Sequence, residues 1–414
     1  MPRAVSTRVG LYFGLLQLVL GLAWVEYVIY LPRLAAQAGI KPGLVGWLLV
    51  VDQLIFAVCD WAAGAATDRV ARVIGRVGRL VAALTAISAL AFLLLPFVSR
   101  SSAPLFVALI VVWAITSAAL RAPPLTLLGR YTPPGRQPWV SALFVAGGGL
   151  ATASTPLLTE RIAGYDPRIL FAASAIAVLV VTLSIVWAER RLAHSAPRAP
   201  ERTEFSPGLL VTFLAAVWLA QTGFQLHNSV NSPLLFAKFA GPGQHRGLLL
   251  VFWIGFALFT PPASLLVARF GGARATLAGS VVAAVAAATA ALASNVVLLA
   301  TAQFICGAAW GAVMVGAVVA ALAIGRRGRA GTAAGGLFAA VALATMTRIA
   351  LVTAHGDRLP AVASALPWLP AVAWLTAALL LLPVLSAGPR RAPTGGPTPR
   401  PAAGRTAPCP GGRG

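Results

Sequence analysis

Apolar runs of about 20 residues recur along this whole chain, and nothing else in it constrains the fold as strongly. Each is long enough to cross a bilayer core of roughly 30 Å as a helix. A helix also satisfies its own backbone hydrogen bonds where no water is present. The runs predict helices over 9–31, 43–66, 79–98, 103–128, 138–159, 167–188, 208–231, 246–268, 275–293, 296–324, 331–354 and 362–386. The 296–324 run is long enough to imply tilt or extension into water. Of the 414 residues, 59% are hydrophobic and only 10% charged, less charge than a soluble domain of this size carries. The fold class is therefore all-α integral membrane, with twelve transmembrane helices.

The net charge of +22 would suggest nucleic acid in a soluble protein. Here the basic residues sit in short loops between apolar runs, so the bilayer is the expected partner and nucleic acid is not. With the N-terminus inside, the cytoplasmic segments hold 22 Lys and Arg and the external loops 8. Without the five in the tail the bias is still 17 to 8. This places both termini and the 189–206 linker in the cytoplasm of an inner or plasma membrane protein, and 232–245 outside. Ala36-Gln37-Ala38 mimics a cleavage site, but the run before it is long and contains Glu26, so it reads as an uncleaved first span. Cys59, Cys306 and Cys409 are far apart and indicate neither a disulfide framework nor a metal cluster.

The linker ERRLAHSAPRAPERTEFS is polar and proline-containing, and it divides the spans six and six. The expected organisation is a six-helix half over 1–188, the linker 189–206, a second half over 207–386, and a disordered basic tail over 387–414. Between the second and third spans lies GAATDRVARVIGRVGR, with Gly64, one acid (Asp68) and the arginines Arg69, Arg72, Arg76 and Arg79. After the eighth span, Ser264-x-x-x-Ala268-Arg269-Phe270-Gly271-Gly272-Ala273-Arg274 repeats it without the acid.

The spacing Gly64-x-x-x-Asp68-Arg69-x-x-Arg72 resembles the signature of major facilitator superfamily transporters, though Ala71 stands where the family usually has a glycine. The resemblance covers roughly residues 9–386. It implies two six-helix halves that are parallel repeats and rock around a central site. It implies that Gly64 permits close helix approach, and that Asp68 faces a helix N-terminus or a basic partner and helps close the cytoplasmic gate with Arg69, Arg72 and Arg269.

Ionisable groups within spans are expensive and point to function. Asp52 and Asp60 share one helix, about 12 Å apart along its axis and about 80° around it. Asp60 and Arg121 lie about two turns from the inner ends of their spans, and in the family the second and fourth helices approach there. They are expected to pair, as a structural link more readily than as ligands. Asp52 and Arg348 lie in the outer half, where the second and eleventh helices of the family meet, so this pair is expected to bridge the halves. Asp52, the deepest acid, is the first candidate for proton coupling and Glu26 the second. Glu26 can equally be an interfacial group, and Arg348 can equally snorkel outward.

Gln221, Gln225 and Asn228 form an i, i+4, i+7 stripe, with His227 and Asn231 beside it. Such amides suit a polar solute, and sugar porters of the family carry amide-rich helix ends there. The same residues also fit a water-exposed helix end before Pro233. The aromatics Trp24, Tyr27, Trp113, Trp253 and Trp310 can line a cavity, with Trp24 and Trp310 the candidates for the site, although lipid-belt or core packing is the commoner use of such residues. Gly147, Gly148, Gly149 and Pro156 support close packing of the fifth span without the family's adjacent Gly-Pro pair.

Neither lysine, Lys41 or Lys238, follows a glycine, so a phosphate-binding loop of the GxxxxGK[ST] type is excluded. Serine-hydrolase and zinc-protease motifs are missing as well. The expected function is secondary transport of a small solute, proton-coupled, by a monomer without cofactor or metal. A uniporter, a drug-type exporter, or a non-transporting sensor or assembly protein of the same fold remain alternatives.

Overall fold

The structure is a computed structural model and describes residues 7–70, 76–184, 206–326 and 329–386. Most of the linker, the 387–414 tail and Arg72 lie outside these residues. The described helices are α1 (Thr7–Gln37), α2 (Pro42–Val70), α3 (Arg76–Val98), α4 (Ala103–Ala118), α5 (Ala122–Tyr131), α6 (Gln137–Ile162) and α7 (Pro167–Leu183) in the first half. The second half holds α8 (Pro207–Leu226), α9 (Ser232–Ala237), α10 (Pro242–Phe270), α11 (Gly272–Ala291), α12 (Val296–Gly325), α13 (Ala330–Thr353), α14 (Pro360–Ala365) and α15 (Leu369–Ser386). Among the described residues eleven helical segments are long and apolar enough to cross a membrane, and the apolar α7 supplies a twelfth.

The helix ends follow local chemistry. After α1, Gly39 takes φ +79, and the Ile40 N–H bonds back to the Ala35 carbonyl at 2.9 Å. A side chain at Gly39 would strain that left-handed turn. Asp166 and Asn295 accept from the backbone N–H groups of Arg168 and Leu298 and so cap α7 and α12.

Several boundaries are displaced, α1 running six residues past the expected 31 to Gln37, and three spans change form or start. The predicted 103–128 helix is broken at residues 119–121, because Pro123 and Pro124 provide no N–H to continue it and instead start α5. The predicted 208–231 helix runs on to Ala237 through one π turn, His227–Asn231. There the His227 carbonyl accepts from both the Ser232 N–H and the Ser232 hydroxyl. The last span begins at Leu369, after the short α14 and a turn at Pro367. At 30 residues α12 is about 45 Å long, more than the hydrocarbon requires.

In the first half α1 packs on α6 and α7, α3 on α4 and α7, and α2 on α4. In the second, α8 packs on α13 and α15, α11 on α12 and α15, and α10 on α12. These are the same pairings six spans later, as a parallel repeat demands. Between the halves, α2 lies against α13 and α6 against α10. The α2–α13 seam is set by glycine. A Cβ on Gly64 would meet the Gly331 carbonyl, and one on Gly335 would meet the Asp60 carbonyl. Without side chains at these points the two backbones touch.

Candidate functional site

The described ends of α2, α5, α10 and α12 lie on one side, called here the motif side. There the Asp68 carboxylate reaches across the halves to the start of α13. It accepts from the Gly331 N–H at 2.6 Å, the Thr332 N–H at 2.8 Å and the Thr332 hydroxyl at 2.7 Å. The first N–H groups of a helix have no partner within it and carry partial positive charge, so an anion there is stabilised. Arg69 is exposed at the end of α2. Arg269 is exposed in the repeat loop, with its guanidinium 5.2 Å from the Phe270 ring. Ala268 gives that loop no carboxylate, so only the first copy of the motif makes a cap.

Deeper in, Asp60 is fully buried and pairs with the Arg121 guanidinium at 2.7 Å, the one ion pair among the described residues. This is the pairing expected between the second and fourth spans. Arg121 sits at the break between α4 and α5, 4.5 Å from the Phe56 ring and 5.8 Å from Phe338 of the other half. The Asp60 Oδ1 and Arg121 Nε have no hydrogen-bond partner.

The expected Asp52–Arg348 bridge is not formed. Asp52 is buried and accepts from the Tyr27 hydroxyl of α1 at 2.5 Å, within its own half. The two residues share a depth, but depth does not fix the direction in which a side chain leaves its helix. Arg348 is half-buried and its Nε is without a partner. Glu26 does not reach the protein surface. It is buried and accepts from the Ser174 hydroxyl of α7, and its Oε1 is unpartnered.

In the second half, Gln221 and Gln225 are buried on α8. Gln225 donates to the Thr345 hydroxyl of α13 at 2.9 Å, and the Gln221 Oε1 is unpartnered. The helix-end alternative fails for the residues that follow, because the π turn turns His227 and Asn231 inward. His227 Nε2 lies 3.0 Å from the Gln303 Oε1, and the Gln303 amide donates to Ser232 at 2.7 Å. Asn231 donates to the Leu366 carbonyl at 2.8 Å. Asn228, the third member of the stripe, is half-buried and makes no side-chain hydrogen bond among the described residues. A π turn adds a residue to the helical repeat, and so shifts the register on which that stripe depended.

Trp24 of α1 lies nearly parallel to Trp113 of α4, with centroids 6.1 Å apart and 7° between planes. Phe224 of α8 stacks on Trp310 of α12 at 4.6 Å and 1°. Phe224 stands to Trp24 along the chain as Arg269 stands to Arg69, whereas Trp113 answers to Val313, so Trp310 fills the second place from a position one turn away. The sequence reading did not single out Gln303, Thr345, Ser174 or Phe338. Gln303 carried the clearest signal, as the only amide in the long apolar run 296–324.

Residues 13–226 match the family described as Major Facilitator Superfamily. No curated protein matches the chain by sequence. The fold is similar to that of the human organic anion transporter TETRAN, with a TM-score of 0.69 at 13% identity over 91% of this chain and 100% of that one. A bacterial homologue of the iron transporter ferroportin, in an outward-facing state, gives 0.69 at 13% over 91% and 99%. The proton:xylose symporter bound to 6-bromo-6-deoxy-D-glucose gives 0.65 at 11% over 90% and 94%.

Proposed function

The chain belongs to the major facilitator superfamily, and on that premise we propose that it is a proton-driven secondary transporter of a small solute. It works by alternating access, as a monomer in the inner or plasma membrane with both termini in the cytoplasm. The observation that carries this reading is the Asp68 clamp on the first turn of α13. The clamp joins the halves by polar contacts, and moving α2 from α13 releases it without unpacking either half. Gly64 allows the approach, and Arg69 and Arg269 belong to the same gate. The basic bias of the motif side supports a cytoplasmic position for it.

A proton-coupled carrier needs a carboxyl that can change its charge during the cycle. Asp52 suits this role because its partner is the neutral Tyr27 hydroxyl. Taking up a proton there leaves no cation unpaired, whereas protonating Asp60 would strand Arg121. Asp60 and Arg121 therefore serve as a structural link beside the gate, and Glu26 is the second coupling candidate. Gln221, Gln225, Trp24 and Trp310 form the solute site, with Asn228 at its edge.

Solutes that stabilise the detergent-purified protein are to be tested for uptake into proteoliposomes with and without an imposed pH gradient. Asp52→Asn is expected to abolish gradient-driven accumulation while exchange down a gradient stays within about twofold of wild type, a change of under 0.5 kcal/mol in barrier. Glu26→Gln is expected to have the smaller effect. Accumulation by Asp52→Asn would remove Asp52 from the coupling scheme. Wild-type flux that ignores the pH gradient would make the protein a uniporter, and binding without flux would make it a sensor.

A further inference from the structure

The intramembrane charges leave one guanidinium over. Asp60 is matched to Arg121, Asp52 to Tyr27, Glu26 to Ser174 and Asp68 to the start of α13. Among the described residues Arg348 forms no ion pair, and its Nε is buried without a partner. Such a group is costly to keep in a bilayer unless something pairs with it for part of the cycle.

Its surroundings point to a ligand. Thr345, one turn before Arg348 on α13, receives the Gln225 amide from α8. Gln221, one turn before Gln225, has a buried Oε1 with no donor. The α8–α13 seam thus offers an unpaired cation and an unpaired acceptor. We propose that it is an anion subsite. A carboxylate, phosphate or sulfonate on the solute pairs with Arg348, and an O–H or N–H about 10 Å farther along the same solute, beyond the Gln225–Thr345 contact, donates to Gln221. Arginine suits such groups because its planar fork stays charged and donates in pairs. The assignment rests on the transporter reading only for how a solute reaches the seam.

The test needs no known substrate. Thr345→Cys is introduced into the full chain after Cys59, Cys306 and Cys409 are replaced by alanine. Reaction rates are measured with anionic sulfonatoethyl and cationic trimethylammonioethyl methanethiosulfonate, each normalised to its rate with a free thiol. The anionic reagent is expected to react faster. Arg348→Gln is expected to lower the anion-to-cation ratio about tenfold, the effect of removing one charge about 6 Å away in a wet site, and Arg348→Lys to preserve it. A ratio unmoved by Arg348→Gln, or a Thr345→Cys thiol that reacts with neither reagent, overturns the subsite. Propionate, inorganic phosphate and methanesulfonate are then compared as protectants at equal ionic strength. The one that slows labelling only when Arg348 is present identifies the group, and protection by none of them also overturns the proposal. Charge selection that depends on Arg348 in a protein that moves no solute would keep the subsite and discard transport.

Discussion

The two halves pack by the same pairings yet solve the problem of buried polarity in different ways. The first half uses charge: Asp60 against Arg121, Asp52 against a phenol, and Glu26 against a serine. Apart from Arg348, the second uses neutral groups: His227, Gln303 and Ser232 in one chain of hydrogen bonds, and Gln225 on Thr345. The position of the second half that answers to Asp60 in the repeat is Thr260, which bonds only to its own helix. Apolar packing between helices tolerates this divergence because each half needs only its small-residue seams to keep its shape. The polar interiors were thus free to diverge, one half toward carboxylates and the other toward amides.

Breaking the ion pair is expected to have the largest effect on this contrast. Asp60→Ala should destabilise the protein by about 3–5 kcal/mol, because it leaves Arg121 without its counter-charge. The double variant Asp60→Asn/Arg121→Gln should recover a good part of that. Unfolding in detergent gives both numbers, and a double variant no more stable than Asp60→Ala would mean the pair is not coupled. In the second half the cost should be smaller. Gln303→Leu removes partners from His227 and Ser232 and should cost about 1–3 kcal/mol. A loss as large as that of Asp60→Ala would erase the distinction between the halves. Asn228→Ala should change stability by less than about 0.5 kcal/mol, the usual range for a residue without specific contacts. A larger effect would restore Asn228 to the polar stripe.

What the sequence could reveal followed from how far each signal depends on rotation about a helix axis. The crossings were readable because hydrocarbon thickness fixes run length. Asp68 and the Asp60–Arg121 pair were readable because the loop motif and depth placed them. The Asp52–Arg348 bridge failed because equal depth on facing helices does not make side chains converge, and Tyr27 was nearer in the fold. The π turn at His227–Asn231 was hidden because its effect is a register shift, which no periodicity count across it can detect. The break before α5 had its signal in Pro123-Pro124, within a run whose hydropathy alone reads as continuous.

All of this presumes that the halves separate on the motif side when the Asp68 clamp lets go. The most direct test is the spin-label distance between Gly135→Cys and Arg274→Cys, one on each half at that side, in a cysteine-free background. Both positions are exposed, and a side chain at Gly135 meets nothing. Wild type is expected to show a dominant short distance. In Asp68→Asn, where the cap loses its charge, worth about 0.5–2 kcal/mol at a helix start, a longer distance should gain several-fold in population. Identical distributions in the two proteins would contradict the account, because the interface would then not be what holds that side shut.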